Sequence, residues 1–300
     1  ANKSKERFFM QTEIGQVDVK LDRITITGVI EESNQTLEKI MGELRWELEP
    51  DLRASAPWFR LTRNIGGDVY ETVAVLMKNE FQNSWRLDTS NHLNNGNEKK
   101  SIQRVVLMMK DRHTTRIDVA FDFINCKYPG MKHVITKRNV TKTNFTTNYY
   151  GRGGSVETIY AGKRRSQALI RYYDKYVEQK RARKQIPEYI KNWERLELQL
   201  RSNKTGNWLK EADLMLDNFK LPEYEKIEKI DELVNVVIAI EHPEILKRFS
   251  KNRKSKTNKL IEANSGFNVE YAETAKKVLK NDAEKVQKEI DEFLLLLNRK

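Results

Sequence analysis

The chain has 300 residues, of which 33% are charged and 38% hydrophobic, and its formal net charge is +12 at pH 7. This length is enough for one or two domains with a real core, and the basic excess favours a polyanionic partner. No run of about 18 apolar residues occurs, so no transmembrane helix and no membrane partner are expected. The single cysteine, Cys126, excludes an intrachain disulfide and fits a reducing cytoplasm.

Alternation and turn signals predict strands in the first two thirds of the chain. They fall at 22–30, 57–64, 68–76, 82–88, 115–123, 145–150, 156–161, 167–176 and 193–201, with helices at 35–48 and 99–110. After Gly206 helical spacing takes over, and one amphipathic helix is expected over 269–297. The predicted fold class is α+β: a mostly antiparallel sheet that carries the active site, packed helices and a helical C-terminal region. A boundary near 202–208 separates 1–204 from 205–300.

Three of these strands place acidic, basic and tyrosine side chains at alternate positions, which share one face of a strand. The residues are Asp118 and Asp122 on the first strand, Arg171, Tyr173 and Lys175 on the second, and Glu197 on the third. If the three polar faces coincide, carboxylates, a tyrosine and cations meet on one sheet surface. The alternative is an ordinary solvated face, which every amphipathic sheet has.

Any metal here must be held mostly by carboxylates, because no two of the four histidines lie close in sequence. Carboxylate ligands favour Mg²⁺ or Mn²⁺ over zinc. Asp118 and Asp122 are about 13 Å apart along an extended strand, so both cannot easily chelate one ion. Asp118 is therefore expected to pair with Glu197 from another strand. No Gly-x-x-x-x-Gly-Lys loop occurs, so no ATP chemistry is expected.

A tyrosine could attack a DNA phosphate with the help of these neighbours. Its phenol has a pKa near 10 and needs activation at neutral pH. A divalent ion would polarise the phosphate and neutralise the charge that develops on it. Arg171 and Lys175 would stabilise the phosphate or lower the tyrosine pKa, although a general DNA-facing charge explains them equally well.

Two basic runs are candidate DNA contacts. Their residues are Lys247, Arg248, Lys251, Asn252, Arg253, Lys254 and Lys256 in the first run, and Lys180, Arg181, Arg183 and Lys184 in the second. Contacts to phosphates would give affinity, whereas sequence choice requires side chains that reach base edges. The alternative for the first run is a solvated loop or a flexible linker.

Five blocks of sequence resemble the Rep_trans family of rolling-circle plasmid replication initiators, the nickases of staphylococcal and Bacillus-type plasmids. The blocks are 22–28, 115–123, 150–164, 170–175 and 195–198, and their order and spacing agree with the family. The Arg-x-Asp-x-Ala-x-Asp block and the Arg-x-Tyr block are specific in combination. Gln199 departs from the family pattern, since relatives can carry a glutamate there, which favours Glu197 as a ligand.

The resemblance implies a bacterial, cytoplasmic initiator that nicks and rejoins one strand at the double-strand origin of its plasmid. Tyr173 would form a 5′-phosphotyrosine link and leave a 3′-OH primer, with Asp118, Asp122 and Glu197 as matching acids. Asp22 and Asp88 fall in matching blocks and remain possible ligands. The resemblance assigns nicking to 1–204, and origin recognition and dimer contacts to 205–300.

The resemblance further implies a homodimer and a host superfamily 1 helicase of the UvrD/PcrA type. Two alternatives stay open: a relaxase of an integrative conjugative element, which shares the motifs, and a DNA-binding regulator without catalysis. The intact Tyr173, Asp118 and Glu197 favour an enzyme over the regulator.

Overall fold

The computed structural model describes residues 10–49, 58–79, 82–90, 96–126, 146–150, 156–217, 224, 227–241, 245–263 and 269–295. Strands make up more than half of the described residues up to residue 201. Their bounds are β1 Met10–Gln11, β2 Gln16–Val29, β3 Trp46–Glu49, β4 Trp58–Gly66, β5 Val69–Asn79, β6 Ser84–Thr89, β7 Lys110–Ile124, β8 Thr146–Tyr150, β9 Val156–Ala161, β10 Ala168–Asp174 and β11 Trp193–Arg201. The predicted turn at 151–154 lies outside the described residues.

Helices α1 Asn34–Glu43 and α2 Gly96–Met108 lie among the strands, and α3 Lys175–Arg181 follows β10 directly. The C-terminal helices are α4 Trp208–Leu216, α5 Ile230–Glu241, α6 Lys251–Ala263, α7 Val269–Asn281 and α8 Ala283–Leu294, with short 3-10 turns at Ser202–Lys204 and Ile245–Arg248. The pairs β1–β2, β2–β6, β3–β4, β4–β5, β5–β6, β8–β9 and β9–β10 are all antiparallel. The predicted α+β class with a mostly antiparallel sheet is confirmed.

The chain divides into two compact units whose segments alternate along the sequence. Unit 1 comprises Ala1–Val19, Phe121–Leu198 and Leu209–Asn281, and unit 2 comprises Lys20–Ala120, Gln199–Trp208 and Asp282–Lys300. Strands β2, β7 and β11 each contribute residues to both units. The functional division into 1–204 and 205–300 stays a prediction.

Unit 2 contains the strand order β3-β4-β5-β6-β2-β7. Helix α1 begins where the Ser33 side chain accepts a hydrogen bond from the backbone N–H of Thr36, at 3.2 Å. It ends earlier than predicted, because Arg45 adopts a left-handed φ of 64° that reverses the chain into β3. Leu48 is half exposed in this strand, so its helical spacing in the sequence does not mark a helix face.

Unit 1 contains the strand order β7-β11-β10-β9-β8. Its core includes Phe123, whose ring centroid lies 5.7 Å from that of Tyr271 on α7. The long C-terminal helix expected over 269–297 is two helices, since α7 ends at Asn281 and α8 begins after Asp282, both residue types with poor helix propensity.

The apolar faces of α7 and α8 are both buried. Their buried residues are Tyr271, Ala275, Val278 and Leu279 on α7 and Val286, Ile290 and Phe293 on α8. Of the two alternatives, packing within the protein therefore accounts for this face. The homodimer stays a prediction without support from these helices.

Candidate active site and nucleic-acid contacts

Tyr173 lies on β10 beside Glu197 on the neighbouring strand β11. Its hydroxyl donates a hydrogen bond to Glu197 Oε1 at 2.8 Å, and only 3% of the tyrosine is exposed. The second carboxylate oxygen of Glu197 accepts from Arg171 Nη1 at 3.2 Å. Sequence parity placed Arg171 and Tyr173 on one face of β10, and the structure brings both to the same glutamate.

The Arg171 guanidinium also covers the tyrosine ring. Its central carbon lies 4.0 Å from the centroid of Tyr173 and 5.8 Å from that of Tyr160 on β9. Burial lowers the pKa of Arg171, but Glu197 and the two tyrosines outweigh burial and raise it. The result is a fixed positive charge against the ring of the candidate nucleophile.

Burial is the main reason that the pKa of Tyr173 is raised far above its ordinary value. The negative charge of Glu197 raises it further, while Arg195 and Arg171 lower it by less. The roles expected for Arg171 and Lys175 at this tyrosine stay a prediction. In the described state Tyr173 is a protonated phenol with a carboxylate in place to accept its proton.

Lys175 begins helix α3 immediately after β10 and is buried. Its ammonium lies 5.5 Å from the Tyr173 ring centroid and forms an ion pair with Glu178. Burial and the nearby Arg195 lower the pKa of Lys175, and Glu178 opposes that change. The amine is therefore a better proton donor than an exposed lysine.

Asp122 on β7 is engaged by β11 rather than left open for a ligand. Arg195 donates to it from Nε at 2.6 Å and from Nη2 at 2.8 Å, and Trp193 Nε1 donates at 2.8 Å. Asp122 is 1% exposed and Arg195 3%. This buried pair holds β7 against β11. The alternation of residues in the sequence did not indicate this structural role.

Asp118 belongs to unit 2, where Arg116 on the same strand binds both of its carboxylate oxygens, at 2.8 and 2.5 Å. Asp88 accepts from the Thr25 hydroxyl and forms an ion pair with Arg86 Nη2 at 2.8 Å. Within the part of the chain that the structure describes, no three histidine, cysteine, aspartate or glutamate side chains gather to hold a metal ion. The predicted ligand set stays a prediction.

The predicted polar faces of β7 and β11 are covered, not solvated. Asp118, Asp122 and Glu197 are 5%, 1% and 8% exposed, so both faces of these strands are buried at these positions. Buried carboxylates need partners, and each of the three has at least one cationic partner.

The basic run 180–184 spans the end of α3 and the turn after it, and its four cations are exposed. Lys180 stacks 4.4 Å from the ring centroid of Tyr176. Arg181 forms a bidentate pair with Glu157 on β9, at 2.5 and 2.6 Å. Arg183 adopts a left-handed φ of 52°.

The basic run 247–256 is a 3-10 turn followed by helix α6, not a loop or linker. The predicted DNA contacts Lys247, Arg248, Lys251, Asn252, Arg253, Lys254 and Lys256 are all exposed. Helix α5 holds two of them: Arg253 donates to Asn235 Oδ1 at 2.9 and 2.5 Å, and Lys256 pairs with Glu232 at 3.0 Å.

Among the described residues, no helix is long and apolar enough to cross a membrane.

The site is thus a protonated tyrosine held on an antiparallel sheet between a carboxylate and an arginine. Residues 112–280, more than half of the chain, match the model of the family described as replication initiation factor, Rep_trans. The chain belongs to this family, as the sequence blocks predicted.

Curated relatives are replication initiation proteins from Staphylococcus aureus. One is 31% identical over 193 residues, which are 63% of this chain and 57% of the relative's length. Another is 27% identical over 293 residues, 93% of this chain and 85% of the relative. The chain thus spans less than two thirds of the length of the first relative. The structure of a rolling circle replication initiator protein from Geobacillus stearothermophilus superposes with a TM-score of 0.46 at 15% identity, over 72% of this chain and 91% of that one.

Proposed function

We propose that this protein initiates rolling-circle replication of a plasmid by nicking one strand at the double-strand origin and rejoining strands at termination. The observation that carries the proposal is the hydrogen bond from Tyr173 to Glu197, with Arg171 bound to the same carboxylate and stacked on the ring. The family membership supports the replication role.

In the nicking step the Tyr173 oxygen attacks a backbone phosphorus. The Oη–P bond forms, the bond from phosphorus to the 3′ oxygen breaks, and the phenol proton passes to Glu197. Because the pKa of the buried phenol is raised, this proton acceptor must be in place before attack. The products are a 5′-phosphotyrosine and a 3′-hydroxyl that primes synthesis. The ester conserves the bond, so the reverse step rejoins strands.

Arg171 and Lys175 have different tasks in this step, one at the phosphate and the other at the leaving 3′ oxygen. Arg171 holds Glu197 in the orientation that faces the phenol, and its charge is available to the phosphate. The leaving 3′ oxygen must gain a proton, and Lys175, whose pKa is lowered, is the nearby donor. Tyr173 is 3% exposed, so the proposal requires that DNA binding opens a path to the ring.

A divalent metal is proposed separately from this step. Carboxylate oxygens suit Mg²⁺ or Mn²⁺. However, the oxygens of Asp118 and Asp122 face arginines, and those of Glu197 face Tyr173 and Arg171, so the described residues do not form a cage. No step above depends on the metal, and chelation tests whether one is needed.

Origin binding is assigned to the exposed cations of α6 and of the run 180–184. The absence of a Gly-x-x-x-x-Gly-Lys loop in the sequence supports a separate helicase for unwinding. The homodimer and the host superfamily 1 helicase are proposed on the family resemblance.

The decisive experiment compares wild type, Tyr173→Phe and Tyr172→Phe on supercoiled DNA that carries the cognate origin. Tyr172 is the matched control, because it also donates a buried hydrogen bond to a glutamate on β11, Glu194. Denaturing gels should show a nick and a protein–DNA adduct with wild type and Tyr172→Phe, and neither with Tyr173→Phe. Peptide mapping should place the adduct on Tyr173, and EDTA should stop the reaction if the metal is needed.

Three outcomes contradict the proposal in different ways. Nicking by Tyr173→Phe removes the assigned nucleophile. Binding without a nick or adduct, on a correct origin, indicates a DNA-binding regulator. Nicking confined to a conjugative transfer origin indicates a relaxase.

A further inference from the structure

A second group of charged side chains lies in unit 2 and shares no member with Arg171, Lys175 and Glu197, which contact Tyr173. Its members come from four strands: Arg23 on β2, Arg86 and Asp88 on β6, Arg116 and Asp118 on β7, and Arg201 on β11. These six residues form the arginine patch. Four guanidinium groups against two carboxylates leave two positive charges that the patch itself does not neutralise.

The strand register explains why the patch forms. On β6, Arg86 and Asp88 stand opposite Thr27 and Thr25 of β2. Alternate residues share a face, so Arg23 stands on the face of Thr25 and Asp88. Arg23 Nη2 lies 3.7 Å from Asp88 Oδ1, and Arg86 Nη2 lies 2.8 Å from Asp88 Oδ2.

The two aspartates position the arginines. Asp88 lies between Arg23 and Arg86, and Asp118 is bound at both oxygens by Arg116, at 2.8 and 2.5 Å. Guanidinium groups repel one another, so carboxylates that hold them in place stabilise a pre-organised cationic surface.

Two buried donors in the patch lack an acceptor. Nε of Arg23 and Nε of Arg201 have no hydrogen-bond partner in the described residues, although the atoms are buried. Side chains of Arg23 and Arg86 are 36% and 45% exposed, so the patch can be reached from solvent. An anion at this position would satisfy the donors and offset the repulsion.

We propose that the arginine patch binds a phosphate of the DNA backbone other than the one that Tyr173 attacks. The planar fork of arginine matches phosphate oxygens. Because Arg116 already binds Asp118 through Nε and Nη2, the patch offers a phosphate the guanidinium groups of Arg23, Arg86 and Arg201. This inference rests on the proposed function for the choice of DNA. It adds a contact that fixes the position of the strand and carries no sequence information.

Arg201→Gln and Arg86→Gln test the patch, with Arg104→Gln as the matched control. Arg104 is an exposed arginine on α2 of the same unit, outside the patch. Fluorescence anisotropy with a DNA duplex of arbitrary sequence gives the dissociation constant at several salt concentrations. Each patch variant should make the slope of log affinity against log salt shallower by about one and weaken binding on the order of tenfold. Arg104→Gln should change both quantities far less.

The result that overturns the inference is an equal effect of all three variants. Inorganic phosphate that binds wild type but not Arg201→Gln, without a patch effect on DNA affinity, also overturns it by assigning the patch to a free anion. If Arg201→Gln fails to fold by circular dichroism, the more exposed Arg86 decides.

The patch and the proposed function can fail independently. If wild type nicks the origin and the three variants bind DNA equally well, only the proposal for the patch is contradicted. Patch-dependent DNA binding by a wild type that does not nick the origin removes the proposed function alone.

Discussion

Two adjacent tyrosines on β10 each donate a hydrogen bond to a glutamate on β11, and their surroundings distinguish them. Tyr172 points to the opposite face and meets Glu194, and its pKa is raised by burial and by that carboxylate. Tyr173 meets Glu197 but also has Arg171 stacked on its ring. A nucleophile needs both a proton acceptor and a cation to balance the phosphate, and in the described residues Tyr173 has both.

The raised pKa of Tyr173 predicts how stability depends on pH. The unfolded chain releases a phenol proton near pH 10, whereas the folded protein keeps that of Tyr173. The contribution of this group is therefore complete below about pH 10 and is lost as pH rises toward the folded pKa. Above pH 10, wild type should lose up to about 1.4 kcal/mol per pH unit more than Tyr173→Phe.

Urea unfolding at about pH 9, 10 and 11 measures this difference in slope. Tyr70→Phe is the control, since Tyr70 is 61% exposed, and it should keep the wild-type slope. Identical pH slopes for wild type and Tyr173→Phe would show that the ring is not buried as described.

At the scale of elements, a single glycine permits a close approach between β2 and the start of β7. A Cβ added to Gly28 would lie 2.8 Å from the Lys110 carbonyl oxygen and 2.9 Å from Met109 Cβ. Backbone atoms cannot yield as the end of a flexible side chain can. Gly42 in α1 offers the opposite case, because an added Cβ meets nothing within 4 Å.

Gly28→Ala should lower the free energy of unfolding by about 1–3 kcal/mol, because the strands must separate slightly. Gly42→Ala should instead raise it by up to about 1 kcal/mol, because alanine favours the helix. Thermal and urea unfolding followed by circular dichroism measure both changes. A Gly28→Ala protein as stable as wild type would exclude the close packing of β2 on β7.

Strands with strong alternation were predictable, whereas the ends of the helices were not. Strand β11 was predicted at 193–201 and is found at Trp193–Arg201, because Leu196, Leu198 and Leu200 alternate with polar residues. The helix expected to reach residue 48 stops at Glu43, since its apolar spacing continues by chance into a strand. The apolar periodicity continues from α7 to α8, although the helix ends at Asn281 and a new one begins after Asp282. Periodicity indicates which residues are buried, but it does not indicate where the chain changes direction.

At the scale of the whole molecule, parity indicates which side chains share a face but not which strands are neighbours. Tyr173, Arg171 and Glu197 were selected by type and alternation, and the pairing of β10 with β11 brought them together. Arg23 and Arg86 escaped notice because their cluster exists only when β6 lies beside β2. Long-range pairing of this kind leaves no local pattern in a single sequence.

Ion pairs on helix α6 predict which of its lysines contribute most to DNA affinity. Lys254 and Lys256 are both exposed on this helix, but only Lys256 has a described carboxylate partner, Glu232 at 3.0 Å. A lysine that gives up an ion pair gains less from a phosphate, so Lys254→Gln should weaken duplex binding more than Lys256→Gln. The slope of log affinity against log salt should become shallower by about one for Lys254→Gln. Anisotropy titrations measure both, and a larger loss for Lys256→Gln would place α6 with its other side toward DNA.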